Sequence, residues 1–306
     1  MRILISGSTG FLGTALIQRL ESEGHEVVRL VRPATSAIPG TAAAKMVSWD
    51  PLSNQFDAAR AEGADALIHL AGASIADGRW NAARKSLLRT SRIDATRHLI
   101  AALSRLQRPP GVIVSASAIG YYGNRAEEEL TESSAPGTDF LAKLCIDWES
   151  EVARGAQFGA RVVMLRLGII LAAHGGALPR MALPFKMGVG GKLGSGRQWM
   201  SWLTLDEAVH MIDFALNSST LTGPANAVAP SPVRNTDFTR ALAKVLRRPS
   251  LFPAPSFALR LALGEMAGPL LLASQFVLPS KLAACGYTFL QADLNLALQS
   301  AFNQRS

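Results

Sequence analysis

The sequence has few of the residues that build covalent or metal-bound frameworks. Of its 306 residues only two are cysteines, Cys145 and Cys285, and they form no CxxC pair or cysteine–histidine spacing typical of a zinc site. This argues against a disulfide-stapled secreted scaffold and gives no reason to expect a bound metal. A reducing compartment fits this cysteine usage, so we expect a cytoplasmic protein.

Long uncharged apolar runs are also missing. The most apolar segment, Ser256 to Leu278, carries Arg260, Glu265 and Gln275 within the length needed to cross a bilayer, which would be costly in lipid. The apolar stretch after Arg2 is broken by glycines and lacks a cleavage site, so we interpret it as a strand and a turn. We expect no membrane partner and interpret 256–278 as a pair of core-facing helices.

Positive charge is in excess but is not concentrated. The net charge is +8, yet no block of five consecutive basic residues occurs and no basic stripe carries interleaved aromatics. This pattern argues against a nucleic-acid partner. A basic enzyme that handles a phosphorylated small molecule explains the excess equally well.

Strand-like and helix-like segments alternate through the first half of the chain. Runs typical of strands at 2–6, 26–31, 66–70, 111–115 and 161–167 are separated by helical stretches at 14–22, 80–104 and 140–155. This alternation is typical of βαβ units, and it predicts an α/β fold with a doubly wound parallel sheet, the NAD(P)-binding Rossmann fold.

The sequence pattern changes after Leu171, where glycine-rich segments replace strand-like runs. We therefore predict a Rossmann domain at 1–167 with a later return at 206–228, and a smaller, mainly helical substrate region formed by 168–205 and 229–306. Asp206 and Glu207 begin a predicted helix, and we interpret them as capping charges because adjacent helical residues do not face each other.

The stretch GSTGFLG, residues 7–13, is the strongest functional signal. It follows a strand and opens a helix within a βαβ unit of ~30 residues, as a dinucleotide fingerprint requires. Glycines at Gly7, Gly10 and Gly13 let backbone N–H groups and the positive helix end approach a phosphate, where side chains would block it. A plain tight turn is the alternative. We predict a dinucleotide cofactor, held also by Thr9, Phe11 and Leu12.

The end of the second strand indicates which dinucleotide is bound. An NAD enzyme would carry an acidic residue about 20 residues beyond the motif for the ribose 2′-hydroxyl, but the strand EVVRLVRP ends in Arg32. A guanidinium matches the geometry of a 2′-phosphate, so we predict NADP (NADPH). Arg29 is a second candidate, with an ordinary solvated strand residue as the equal alternative.

Five segments resemble the short-chain dehydrogenase/reductase superfamily in its extended or atypical branch. They are GSTGFLGTAL at 7–16, SASAIGYYG at 115–123, RLGIIL at 166–171, GSGRQWMSWLTLDEA at 194–208 and GEMAGPLLLASQFVLPSKL at 264–282. Together they span nearly the whole chain and are similar to the nucleoside-diphosphate-sugar epimerase-like group, the YfcH-like epimerase family. The resemblance implies an NADP-dependent oxidoreductase or epimerase that acts on a small, nucleotide-linked sugar by hydride transfer.

The resemblance also implies further contacts to the cofactor. These are Leu70, Ala71 and Gly72 after a strand, Arg92 on the long helix, Lys143 at the ribose, and Gly168 and Ile170 beside the nicotinamide. For Arg92, a charge on a solvated helix face is the alternative.

The catalytic residues depart from the superfamily pattern. A typical member uses a Ser or Thr hydroxyl, a Tyr as acid and base, and a Lys four residues after the Tyr. Alignment places Ser117 and Lys143 in two of these positions, but Asp139 stands where the Tyr belongs. Asp139 should be ionised at neutral pH, and we interpret it as the N-cap of the following helix. Tyr121 is the candidate replacement, preferred to Tyr122, with packing against the C-terminal region as the alternative.

The substrate candidates are Arg197 and Trp199, in a segment that approaches the nucleotide and phosphates of the substrate in related enzymes. Arg197 suits a phosphate and Trp199 could stack on a ring, whereas ordinary surface and core roles are the alternative. A second function is an NADPH-binding module with lapsed catalysis, a redox sensor or scaffold, which the lost Tyr favours. The sequence does not indicate an oligomeric state.

Overall fold

The computed structural model of the chain describes residues 1–33, 42, 45–53 and 55–303. Its strands, in chain order, are β1 Arg2–Ser6, β2 Glu26–Val31, β3 Met46–Ser48, β4 Ala66–His69, β5 Val112–Ala118, β6 Glu129–Leu130, β7 Arg161–Leu167, β8 Ile169–Ala172, β9 Gly175–Gly176, β10 Trp199–Met200, β11 Trp202–Thr204, β12 Gly223–Ala227, β13 Val233–Arg234 and β14 Phe276–Val277. Its α-helices are α1 Phe11–Ser22, α2 Ala58–Ala61, α3 Ala82–Arg89, α4 Ala95–Leu103, α5 Phe140–Ala153, α6 Leu178–Lys186, α7 Leu205–Asn217, α8 Asn235–Leu246, α9 Ser256–Leu263, α10 Ser280–Ala284 and α11 Leu294–Asn303.

A seven-stranded parallel sheet forms the centre of the molecule. Its strand order is β12-β7-β5-β4-β1-β2-β3, and every neighbouring pair runs in the same direction. The order reverses between β1 and β4, so the carboxyl ends of these strands border the crevice in which doubly wound sheets bind ligands. The predicted α/β fold with a doubly wound Rossmann sheet is confirmed, and 223–227 returns to the sheet as its edge strand.

Side chains of the central strands are buried on both faces of the sheet, which explains their continuous apolar runs. On β1, Leu4 faces a core that includes Trp148 of α5, whereas Ile3 and Ile5 face a core with Leu16 of α1. Helices therefore cover both faces, and α1 and α7 contact each other on the second.

Glu207 ties the C-terminal segment to α7. Its carboxylate is fully buried and accepts hydrogen bonds from the Tyr287 hydroxyl at 2.5 Å and from the backbone N–H groups of Leu290 and Gln291 at 3.0 and 2.9 Å. Asp206 and Glu207 both lie in the first turn of α7, as expected of capping charges, and Glu207 has this tertiary role in addition. The N-cap itself is Thr204, whose side chain accepts from the Glu207 N–H.

The segment 256–278 does not form the expected pair of core-facing helices. It contains α9 and two short irregular turns before β14, and α9 buries none of its residues. Phe257 and Leu261 are 75% and 77% exposed, one helical turn apart on α9. No helix in the described part of the chain is both long enough and apolar enough to span a membrane.

Candidate functional site

The turn between β1 and α1 is packed so closely that side chains are excluded. A Cβ on Gly13 would lie 2.2 Å from the Gly7 carbonyl oxygen, and one on Gly7 would lie 2.8 Å from the Leu70 carbonyl carbon. Gly7 also has a φ of +71°, which L side chains rarely adopt. No side chain caps α1 at Gly10, so the first N–H groups of the helix face the turn without a side-chain partner. This geometry suits an anion at the helix N-terminus.

The other residues of this motif lie around the turn. Thr9 and Gly10 are exposed, whereas Leu12 is buried in the core. Phe11 is partly exposed, and its ring packs on Gly175, because a Cβ on Gly175 would lie 2.7 Å from Phe11 Cγ. The turn thus contacts β9 through Phe11 and Gly175.

A buried polar chain beneath the turn fixes the backbone of the segment after β4. The Ser6 Oγ accepts the N–H groups of Leu70 and Ala71, both at 3.2 Å, so its own proton is directed to His69 Nδ1 at 2.6 Å. His69 Nε2 then carries its proton and donates it to the Thr96 Oγ at 3.0 Å. These bonds hold Leu70 and Ala71 beside Gly7.

The buried His69 ring predicts an acid-sensitive stability. Burial, reinforced by the nearby Arg92, lowers the pKa of His69 from 6.5 to about 4. Between these values the unfolded chain binds more protons, so stability is lost as the pH falls from 6.5 to 4. We expect a loss of about 3 kcal/mol from this group. Urea unfolding should show that the wild type loses about 3 kcal/mol more of its free energy of unfolding than His69→Gln as the pH falls from 6.5 to 4. An equal loss in the two proteins would exclude this role of His69.

Arg92 lies against the segment after β4 and carries an unsatisfied donor. Its guanidinium carbon would be 3.1 Å from a Cβ on Gly72, and it lies 5.3 Å from the Trp148 ring. Nη1 is buried and has no hydrogen-bond partner among the described residues. Burial lowers the pKa of Arg92 from its usual value. A buried guanidinium N–H without a partner is costly, so this position suits an anionic or polar ligand group in the groove.

Two further predicted cofactor residues, Arg32 and Gly168, directly follow strands of the central sheet, and a third, Ile170, lies on β8. Arg32 directly follows β2, is exposed, and makes no hydrogen bond or ion pair within the described ranges. Gly168 follows β7 and allows a close backbone crossing, because a Cβ there would lie 2.7 Å from the Ser201 carbonyl oxygen. Ile170 is half-buried on β8 and pairs with Leu203.

Ser117 belongs to a buried charge network that the sequence did not reveal. Its hydroxyl donates to Glu149 Oε1 at 2.6 Å. Arg166 forms a bidentate pair with Glu149, through Nε at 2.9 Å and Nη2 at 2.8 Å. The Arg166 side chain is 2% exposed, and β5 pairs with β7 so that Ser117 lies opposite Arg166. The available signals were an acid on the apolar face of α5 and an arginine inside the apolar strand RVVMLRL.

The two neighbouring tyrosines differ in what their hydroxyls do. The Tyr122 hydroxyl accepts from Arg166 Nη1 at 3.0 Å and lies 2.6 Å from Asn226 Oδ1, to which it donates. Burial raises the pKa of Tyr122. The Thr131 carbonyl also lies 3.0 Å from the Tyr122 hydroxyl. Tyr121 places its ring 3.4 Å from the Arg166 guanidinium carbon, and its hydroxyl has no hydrogen bond among the described residues. Tyr121 therefore has the free hydroxyl, and Tyr122 has a structural one.

Asp139 and Lys143 lie at the start of α5. Asp139 accepts the Ala142 N–H at 2.9 Å, which confirms its interpretation as the N-cap. Lys143 is exposed and forms no hydrogen bond or ion pair with any described residue. The partner of the Ser117 hydroxyl is Glu149, so the structure links Ser117 to a different α5 residue from the one that the superfamily pattern suggests.

Arg197 and Arg260 line an open cavity of about 330 Å³. Both are exposed, and neither guanidinium has a hydrogen bond or ion pair in the described part of the chain. The hydroxyl-bearing residues Ser195, Ser256 and Ser274 also line the cavity, as does Glu127, whose carboxylate pairs with Arg234. Two unpaired guanidinium groups with hydroxyls beside them can bind a phosphate or diphosphate.

Trp199 is already packed on both sides. Its ring stacks on Phe276 at 4.5 Å, the Arg234 guanidinium lies 3.9 Å from its centroid, and its indole N–H donates to Glu127 at 3.1 Å. The expected free stacking surface is therefore not present in this structure, and Trp199 supports the wall beside the cavity. Within 1–33, 42, 45–53 and 55–303 no cluster of three His, Cys, Asp or Glu side chains could hold a metal.

The fold and the groove define the class of protein. A side-chain-free glycine turn, an uncapped helix start and an unsatisfied arginine meet at the point where the parallel sheet reverses its strand order. These are the features of a Rossmann-type nucleotide-binding protein.

The chain belongs to the NAD-dependent epimerase/dehydratase family, whose model matches residues 3–227. Residues 254–301 match a domain of unknown function, DUF1731. The chain is 41% identical to the epimerase family protein Mb2239 of Mycobacterium bovis, over 94% of this chain and 93% of that protein.

Two solved structures are similar over nearly the whole chain. The human epimerase family protein SDR39U1, crystallised with NADPH, is 33% identical with a TM-score of 0.88, and the match covers 99% of this chain and all of that one. A nucleoside-diphosphate sugar epimerase from Corynebacterium glutamicum is 35% identical with a TM-score of 0.77. That match covers 97% of this chain but 57% of the other, so the chain spans little more than half of that protein.

Proposed function

We propose that the protein is an NADP-dependent oxidoreductase or epimerase that acts on a nucleotide-linked sugar. The observation that carries the proposal is the buried, unsatisfied Nη1 of Arg92 beside Gly72, which leaves a donor for a bound dinucleotide. The NADPH bound to the human relative and the similarity to the nucleoside-diphosphate sugar epimerase of Corynebacterium glutamicum support it.

The cofactor would lie along the carboxyl ends of the strands. In this arrangement the turn of Gly7, Gly10 and Gly13 would hold the diphosphate at the start of α1, and Arg32 would pair with the 2′-phosphate of NADP. Arg92 would donate through Nη1, and the exposed Lys143 would be available to the ribose. The nicotinamide would supply hydride exchange with a carbinol or carbonyl carbon of the substrate.

Ser117 and Tyr121 would serve different roles at the substrate. The Ser117 proton is directed to Glu149, so the Ser117 oxygen meets a ligand as a hydrogen-bond acceptor and would position a substrate hydroxyl. Tyr121 has the hydroxyl that is free to give or take a proton at the reacting oxygen. The cavity with Arg197 and Arg260 would hold the phosphates of the substrate.

The second candidate is an NADPH-binding module without catalysis. It is favoured by Asp139 acting as an N-cap and by the exposed Lys143, since the Tyr–Lys pair of the superfamily is absent. Purified protein with NADPH or NADP should be assayed against nucleotide-linked sugars and simple carbonyl compounds. Turnover that falls at least about a hundredfold in Tyr121→Phe and Ser117→Ala supports the enzyme. The matched control is Ser115→Ala, on the same strand, whose hydroxyl bonds the adjacent Ala116 carbonyl. A panel without any turnover would favour the binding module.

The choice of cofactor is tested at Arg32. Arg32→Asp should weaken NADPH binding by about tenfold to a hundredfold, the value of a charge-assisted pair, while NADH binding stays the same or improves. Dissociation constants from NADPH and NADH fluorescence titrations measure this. Arg105→Asp is the control, because Arg105 precedes β5 and so lies at the amino ends of the strands, opposite the groove. Equal NADPH and NADH affinities in the wild type would contradict the assignment of NADP.

A further inference from the structure

Six large apolar side chains are exposed on two stretches of the chain, 187–189 and 251–261. Each is more than half exposed, and we call this set the apolar patch: Met187, Val189, Leu251, Phe252, Phe257 and Leu261. Contiguous exposed apolar surface of this kind marks an interaction site.

Backbone hydrogen bonds bring the two segments of the patch together. The Phe252 N–H donates to the Gly190 carbonyl at 3.1 Å, and the Ala254 N–H donates to the Lys192 carbonyl at 2.9 Å. Met187 and Val189 thus lie beside Leu251 and Phe252, and α9 continues directly from that segment with Phe257 and Leu261. The patch is a built surface, because two segments 60 residues apart pair along their backbones.

The charges around the apolar patch are mostly positive. No acidic residue occurs in 174–205 or in 238–264, the two stretches that contain the patch. These stretches carry exposed cations that have no hydrogen bond or ion pair with any described residue and lie outside the cavity of Arg197 and Arg260: Lys186, Lys192, Arg247 and Arg248. The acidic groups next to these stretches are each paired with a cation, Asp77 with Arg180, Glu127 with Arg234 and Glu265 with Lys85.

We propose that the apolar patch docks on an anionic lipid surface. Leu, Met, Val and Phe side chains on a short helix and two loops can enter the interfacial region of a bilayer, and the surrounding cations meet lipid phosphates. The cations lie on separate segments over a broad area, which suits a fluid anionic surface better than one discrete ligand. Neither signal alone gives stable binding, and here both occur together.

The prediction of no membrane partner depended on the absence of an uncharged apolar segment long enough to span a bilayer. An interfacial patch escapes such a search, because it is assembled from separate stretches and each is short and interrupted by glycine, proline or a cation. The site described above does not enter this proposal.

Co-sedimentation with vesicles tests the proposal. The wild type should bind vesicles of equimolar phosphatidylglycerol and phosphatidylcholine, bind poorly to phosphatidylcholine alone, and be released by added salt. The double variant Phe257→Ser, Leu261→Ser should lose most of this binding, and it should still fold because α9 buries no residue. Leu296→Ser, 57% exposed on α11, is the apolar control.

Charge reversal tests the electrostatic part separately. Lys186→Glu with Arg248→Glu should weaken binding by at least about fivefold for each cation removed, whereas Arg105→Glu should not change it. Unfolding transitions of all variants verify that they remain folded. Absence of wild-type binding to the mixed vesicles, or equal binding by the patch variants, would overturn the proposal. A wild-type dimer that the Phe257 and Leu261 changes convert to a monomer would instead assign the patch to a second copy of the chain.

Discussion

Gly13→Ala is expected to reduce NADPH affinity at least about a hundredfold, which corresponds to about 3 kcal/mol. The added Cβ would lie 2.2 Å from the Gly7 carbonyl oxygen, a backbone atom that also accepts the Gly10 N–H at 3.0 Å. Alanine gains about 1 kcal/mol of helix propensity over glycine. The crowded contact costs about 1–3 kcal/mol of stability, which offsets this gain. It is relieved by a shift of the turn that would receive the phosphates, and this shift lowers the NADPH affinity.

Gly111→Ala is the matched control for that change. A Cβ on Gly111 would meet only the Asp65 carbonyl oxygen, at an ordinary 3.9 Å. Gly111 precedes β5, at the amino ends of the strands and away from the glycine turn. Fluorescence titration with NADPH should give a wild-type dissociation constant for this variant. Unchanged affinity in Gly13→Ala would show that the turn does not hold the cofactor.

Glu149→Gln is expected to lower the free energy of unfolding by about 3–5 kcal/mol. The change removes the negative partner of Arg166, whose side chain is 2% exposed, and leaves a buried guanidinium without its counter-charge. Burial alone lowers the pKa of Arg166, but the bonds and charge of Glu149 outweigh that effect and raise it, which shows how strongly the pair is coupled. Ser117 loses the acceptor of its hydroxyl in the same change.

Asp147→Asn separates burial from the mere loss of an ion pair. Asp147 lies two residues before Glu149 on the same helix and pairs with Arg89 at 2.9 Å, with both side chains more than 40% exposed. An exposed pair of this kind contributes about 0–1 kcal/mol, so this variant should unfold at nearly the wild-type urea concentration. Equal destabilisation by Glu149→Gln and Asp147→Asn would show that burial does not increase the contribution of the Glu149–Arg166 pair to stability.

The fold and the glycine turn could be predicted because their signals are local in sequence. Strand and helix periods alternate along the chain, the glycine turn lies within seven residues, and the Asp139 cap acts on a backbone N–H three residues away. Each of these depends on neighbours in sequence, which sequence patterns report directly.

The parts that escaped prediction depend on contacts between distant elements. Glu149 and Arg166 come from a helix and a strand, and only the pairing of β5 with β7 brings Ser117 to them. The exposure of α9 escaped for the same reason, because an amphipathic pattern does not show whether another element covers its apolar face. The division at residue 167 and the catalytic roles of Ser117, Tyr121 and Lys143 stay predictions.

A crystal structure of the protein grown with NADPH tests the central claim most directly. The account predicts cofactor density along the turn at residues 7–13, with the 2′-phosphate at Arg32 and a cofactor atom within hydrogen-bond distance of Arg92 Nη1. Saturating NADPH without density at this turn, or with Nη1 still unpaired beside a cofactor bound elsewhere, would contradict it.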